Sequence, residues 1–219
     1  MHPAVSLLDP LPSALRQSRV DGLGRRHRID GHEIDRDGLQ HFNELLQYLQ
    51  LSQAPLDSDQ VASAARELID GIRYGDAPRP RCIQQRMRRG AAINLMLDDA
   101  DWETRDPAAI RAMWVVVDYL RGGVDLIPNA MPVIGRLDDA IVVDAAWPAL
   151  ETEVRQYLEF CRLRHVEADL RGETRRHFGF TGKHWQDAAR AEMEWIAHCA
   201  RVGHETYLSE GPNPHFRVA

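Results

Sequence analysis

The stretch GGVDLIPNAMPVIGRLDDAIVV, residues 122–143, constrains the fold more than any other segment of the chain. Pro128 and Pro132 donate no backbone hydrogen bond, and each disfavours helix in the residue before it. The chain must therefore turn between Asp125 and Gly135. Yet Leu126, Ile127, Met131, Val133 and Ile134 within that turn are apolar. Such a turn is either packed down onto its own chain or buried in a partner, and in both cases its backbone needs polar groups close by. Asp125 is placed to accept from the turn N–H groups. Asp138 is placed to cap the following helix and favour its positive end. On this reading the acids secure two helix ends around an apolar turn.

The flanking pattern is helical almost throughout. Leu39, Phe42, Leu45, Leu46 and Leu49 share one face. Asp57 with Gln60 three residues on forms a capping box ahead of the stripe Val61, Ala64, Ala65, Leu68, Ile69 and Ile72, which ends near Gly75. Ile83, Met87, Ala91 and Leu95 suggest a third helix. Asp106 caps a fourth, with Pro107 at its first position and Ile110, Met113, Trp114 and Val117 as its face before Gly122 and Gly123 stop it. A short helix from Asp138 to about Trp147, a long one from Pro148 to about Leu170 and a last one from about Gly182 to Tyr207 complete the set, with HFGFTG as a break. Asp30-Gly31 marks a short hairpin near the N-terminus.

The expected fold is all-α, a multi-helix globular bundle with a short N-terminal β-hairpin. Residues 1–28 read as an extended or poorly ordered arm, 29–208 as a single helical domain containing a helical hairpin at 107–170, and 209–219 as a tail.

Composition narrows the function classes. Over 219 residues the hydrophobic fraction is 44% and the formal net charge is -6, so generic attraction to nucleic acid or anionic lipid is not expected. Nearly all the positive charge is arginine, Lys183 being the one lysine. The start of the sequence has no basic stretch ahead of an apolar core, and the longest uncharged run in the most apolar region, Leu126 to Gly135, falls short of the ~20 residues of a membrane span. Cys82, Cys161 and Cys199 are odd in number and far apart. The expected location is the cytoplasm, at most peripheral at the inner membrane.

Residues 114–147 resemble the YkvA family of bacterial proteins. The shared features are an apolar helix ending in Tyr119, the box Asp125-Leu126-Ile127-Pro128, then Pro132, Gly135 and the pair Asp138-Asp139. Asn129 stands where the family usually has Asp. The resemblance implies a helical hairpin, sometimes associated with membranes or attached to other modules, and carries no established reaction.

Four constellations are candidates for chemistry. Asp125, Asp138 and Asp139, with Asp118 and Asp144 near, could hold a divalent cation, since hard cations take carboxylate oxygens, and a bound metal could activate water. Glu33 to Glu44 follows the EF-hand pattern at several places but begins with Glu33 and has Gln40 at its eighth position. Glu194 and His198 lie one turn apart on the last helix, beside Cys199, His204 and Glu205, with Trp195, Ile196 and Cys199 expected in the core. Arg79, Arg81, Arg86, Arg88 and Arg89 could meet phosphates, although acidic residues follow them directly.

The leading expectation is a non-enzymatic binding or regulatory module with no cofactor. It presents Leu126, Ile127, Met131, Val133 and Ile134 to a protein partner, a second copy or a membrane surface. The alternative is a metal-dependent hydrolase built on Asp125, Asp138 and Asp139.

Overall fold

The computed structural model describes residues 8–16, 28–50, 54–72, 80–104, 106–122, 125–174 and 178–205. The tail 209–219, most of the N-terminal arm, Gly75, Arg79 and Gly123 lie outside the described residues. A two-stranded antiparallel hairpin, β1 Arg28–Ile29 and β2 His32–Glu33, precedes six helices. These are α1 Arg36–Leu49, α2 Ser58–Ile72, α3 Arg81–Asp98, α4 Pro107–Arg121, α5 Leu137–Leu170 and α6 Gly182–Glu205. The protein is all-α with a short N-terminal hairpin, as the helical periods require.

Local chemistry sets most of the element ends. Asp30 and Gly31 both have positive φ, 44° and 84°, the conformation that a two-residue hairpin turn demands. The Asp35 side chain accepts from the Gly38 N–H at 2.8 Å and caps α1. Asp57 and Gln60 satisfy each other's N–H groups reciprocally at 2.7 and 2.9 Å. Asp106 caps α4 through the Ala108 N–H, with Pro107 at the first helical position.

The chain divides into two compact units, Met1–Glu159 and Phe160–Ala219. The core of the first is built from α1 to α4 and the N-terminal part of α5, with Phe42, Leu46, Val61, Ile93, Val116, Ile127, Ile134, Leu137 and Leu150 fully buried. In the second unit, Phe160 and Phe178 are buried and Phe180 stacks on both, its ring 5.8 Å from each.

Several expectations are corrected. Residues 8–16, expected to be extended or poorly ordered, form a 3-10 turn at Ser13–Arg16 whose Ser13 N–H donates to Glu67 of α2 at 3.1 Å, and Leu11 and Ala14 are buried. Helices at 138–147 and 148–170 are one continuous helix, α5, with Pro148 inside it. Pro148 is exposed, so the Asp144 carbonyl it leaves without a helical donor lies on the solvent side, where a helix tolerates the loss. The buried face of α3 is Cys82, Ile83, Arg86, Gly90, Ile93 and Met96, while Leu95 is exposed. On α4 Trp114 is exposed and the buried face is Ala109, Ala112, Met113, Val116 and Val117.

α3 is held by features that a hydrophobic pattern does not register. Arg86, 3% exposed, donates to Asp144 from Nε at 2.9 Å, with a second nitrogen 2.8 Å from the same oxygen, and to the carbonyls of Asp9 and Cys82. Arg89 stacks over the Trp147 ring at 3.6 Å. At Gly90 a Cβ would meet Leu120 at 2.8 Å and Val143 at 3.4 Å, so the glycine permits close approach there.

Candidate functional site

The Pro-broken turn is built around the carboxylate of Asp138. Its Oδ2 accepts from the Tyr119 hydroxyl at 2.9 Å and from the Ile127 N–H at 3.0 Å, while the Leu126 N–H donates to the Tyr119 oxygen at 3.3 Å. This ties α4, the turn and α5 at one buried acid. His32 of β2 reaches the Leu126 carbonyl at 3.3 Å. The Asn129 amide donates to Asp125 at 2.7 Å.

Asp138 is therefore not the cap of α5. Arg136 occupies the cap position, its carbonyl accepting from the Ala140 N–H at 3.0 Å, and Asp138 and Asp139 sit in the first turn, where the helix dipole favours acids. Among the described residues Asp125 likewise receives the Asn129 side chain rather than a turn N–H.

The turn itself is sterically fixed. Val133 and Arg136 have φ of 68° and 75°, which costs a non-glycine residue roughly 1–2 kcal/mol. The Gly135 N–H donates to the Met131 carbonyl at 3.0 Å, and the Ile134 N–H to the Pro132 carbonyl at 2.7 Å. A Cβ on Gly135 would lie 2.5 Å from the Asn129 carbonyl oxygen and 2.6 Å from that of Met131. That position excludes a side chain altogether.

Of the two fates open to the apolar turn, the chain takes the first for its largest side chains. Leu126, Ile127 and Ile134 are buried within the protein and are not available to a partner; Met131 and Val133 are half-buried, and Pro132 is exposed. The expectation that the turn presents Leu126, Ile127 and Ile134 is corrected: the Asp138 clamp draws the first two down, and the Gly135 contact seats the third.

Asp138 and Asp139 are each 1% exposed. Burial raises the pKa of both carboxyls. For Asp138 the Ile127 N–H and the Tyr119 hydroxyl oppose the rise; for Asp139 the charge of Asp138 adds to it, Arg136 opposes it, and the value reaches about 7. Burial and the Asp138 charge raise the Tyr119 phenol as well. The Asp139 carboxylate lies 3.7 Å from the Arg136 guanidinium.

Asp138 and Asp139, sealed to this degree, give a substrate no direct access, while Asp125 is half-buried and bonded to Asn129. Among the described residues no group of three or more His, Cys, Asp or Glu side chains is set to hold a metal ion. The EF-hand-like segment fails for a backbone reason. α1 begins at Arg36, so its later ligand positions lie on a helix rather than in a loop.

The arginine cluster is likewise dispersed. Arg86 is buried on Asp144, Arg89 lies over Trp147, and Arg81 is 3.8 Å from Asp9. Arg79 lies outside the described residues.

The surface that sequence reasoning missed is on α6. Trp195, Ile196 and Cys199, expected in the core, are all exposed, and so is every residue from Ala191 to Arg201. Helical spacing places Ala189, Met193, Ile196 and Ala200 on one face, with Asp187, Arg190, Glu194 and Arg201 turned away from it and Trp195 standing apart from both sets. Met193 and Trp195 are 65% exposed and Ile196 59%.

Comparison with protein-family models, curated proteins and solved structures finds no match.

Proposed function

We propose that the chain is a protein-binding module whose docking face is the apolar side of α6. The observation that supports this reading is the concurrent exposure of Met193 and Ile196, which share one face of a helix that is charged on the other side. A helix segment covered on no side is marginal in water, because most helical stability in proteins comes from packing an amphipathic face. A hydrophobic groove on another protein supplies that packing, read at positions spaced like Ala189, Met193, Ile196 and Ala200. The charges argue against a lipid surface as the occupant. Between Gly182 and Arg201 the cations Lys183, Arg190 and Arg201 are matched by Asp187, Glu192 and Glu194, so an anionic membrane gains no electrostatic attraction.

In this reading the Pro-rich turn is the structural centre of the first unit. The Tyr119–Asp138 hydrogen bond joins two positions of the YkvA-like motif in 114–147 and supports taking that motif as a structural signature. A cytoplasmic location accords with an exposed free thiol at Cys199. Among the described residues no helix is long and apolar enough to cross a membrane.

The test is photo-crosslinking in cells, with benzoylphenylalanine at Ile196 and, separately, at Asp187 on the opposite face. A discrete protein adduct from position 196 and none from 187 is expected, its mass distinguishing a second copy from a different protein. Lipid adducts alone, or equal labelling from both positions, would overturn the reading.

A further inference from the structure

We propose that the first unit is held closed by a single proton: Asp139 is a neutral carboxylic acid beside the ionised Asp138, and loss of its proton weakens the unit, which thereby responds to pH. The geometry divides the two acids. Asp138 Oδ2 has two donors, the Tyr119 hydroxyl at 2.9 Å and the Ile127 N–H at 3.0 Å, and hydrogen bonds of this kind favour the charged form. Neither oxygen of Asp139 has a donor among the described residues, although the residue is 1% exposed. An ionised carboxyl sealed from water, without a donor and next in the chain to a second charge, meets both desolvation and repulsion. A proton on Asp139 removes both costs. Water reaches the pair only when the packing around the start of α5 opens, so ionisation of Asp139 is coupled to unfolding.

The titratable and charged groups around the pair compensate Asp139 only in part. From the turn, Arg136 stands 3.7 Å from Asp139, beyond hydrogen-bond reach, and its side chain is 41% exposed, so water screens its charge. Asp125, also of the turn, is acidic and adds to the cost. From α4, Tyr119 donates to Asp138, and from β2, His32 meets the Leu126 carbonyl. α3 brings Met87 to Arg136, while its Arg86 is committed to Asp144 further along α5. α1 contributes Phe42, whose ring lies against that of Tyr119. In agreement, burial and the Asp138 charge raise Asp139 from 3.8 to about 7, with Arg136 opposing the rise. Between those two values the folded chain holds a proton that the unfolded chain releases to water. Stability is therefore full below the ordinary aspartate range, falls as pH rises through the window, and levels off above about 7. The proposal is independent of what α6 binds.

Urea unfolding of the full-length chain across this pH window, for wild type and Asp139→Asn, tests it. The wild-type unfolding constant should rise about tenfold per pH unit relative to that of the variant, the signature of one proton. The comparison cancels the histidines, His32 included, because both proteins carry them. Carbon-detected NMR of the wild-type Asp139 carboxyl keeps the test open should the variant fail to fold. Its midpoint should lie near 7, and Arg136→Gln, which removes the opposing charge, should move it upward. Parallel stability profiles for wild type and variant, or an Asp139 midpoint in the ordinary aspartate range, would overturn the proposal.

Discussion

Gly135→Ala should destabilise the first unit by about 3 kcal/mol, the upper range for forcing an atom into a filled site. The added Cβ would meet two main-chain oxygens, those of Asn129 at 2.5 Å and Met131 at 2.6 Å, and neither can rotate away as a side chain could. Relief requires the turn to open, which breaks the Gly135 to Met131 hydrogen bond and lifts Ile134 from full burial. Gly90→Ala is the informative control. Its closest obstacle is the far end of the Leu120 side chain, which can shift, and alanine favours the helix, so its cost should stay below about 1 kcal/mol. Urea denaturation followed by circular dichroism measures both. Equal effects at the two glycines would show that the turn is not sterically locked.

Arg86→Ala should cost a similar amount, roughly 3 kcal/mol, and lower Tm by roughly 6–12 °C for a chain of this size. Removing a 3% exposed guanidinium strands Asp144 and withdraws a donor from the carbonyls of Asp9 and Cys82. Asp144 keeps about a third of its side-chain exposure, so water takes over part of its solvation and holds the loss to the lower end for a broken buried pair. Arg86→Met with Asp144→Leu removes both charges and should recover much of the stability, because the cost lies mainly in the orphaned carboxylate. A double variant as unstable as Arg86→Ala would place the cost in the lost main-chain contacts instead.

Signals confined to a few neighbouring residues were legible in the sequence. The Asp57–Gln60 capping box, the Asp106-Pro107 start of α4 and the Asp30-Gly31 hairpin each depend on chemistry within three residues, and each forms as its residues require. The face of α3 was not legible, because its buried stripe includes Arg86 and Gly90, whose reasons for burial are Asp144, some sixty residues on, and the close approach of Leu120. Pro148 misled for a related reason: it faces water, where the carbonyl it leaves without a donor can be solvated and the helix can bend past the ring instead of ending.

The turn and α6 exchange roles between sequence and structure. Apolar residues in a Pro-broken loop and apolar residues on a helix carry the same hydrophobic signal, and neither states which is covered by its own chain. Coverage of the turn follows from Asp138, which anchors Ile127 and Tyr119 from the far side of the loop. On α6 the sequence pointed to Trp195, Ile196 and Cys199 as core, and their exposure was not legible, since that depends on what packs against the helix. Asp138 and Asp139 were legible as important acids, and their near-complete burial was not.

Amide hydrogen exchange on the purified chain, at a concentration where it is monomeric, tests most directly the claim that the turn faces inward and α6 outward. Residues 126–144 should exchange only through opening of the whole first unit, whereas 191–201 should exchange within seconds, as expected of a helix with no packed face. Strong protection of 191–201 in the monomer, with rapid exchange at Ile127 and Ile134, would contradict the account.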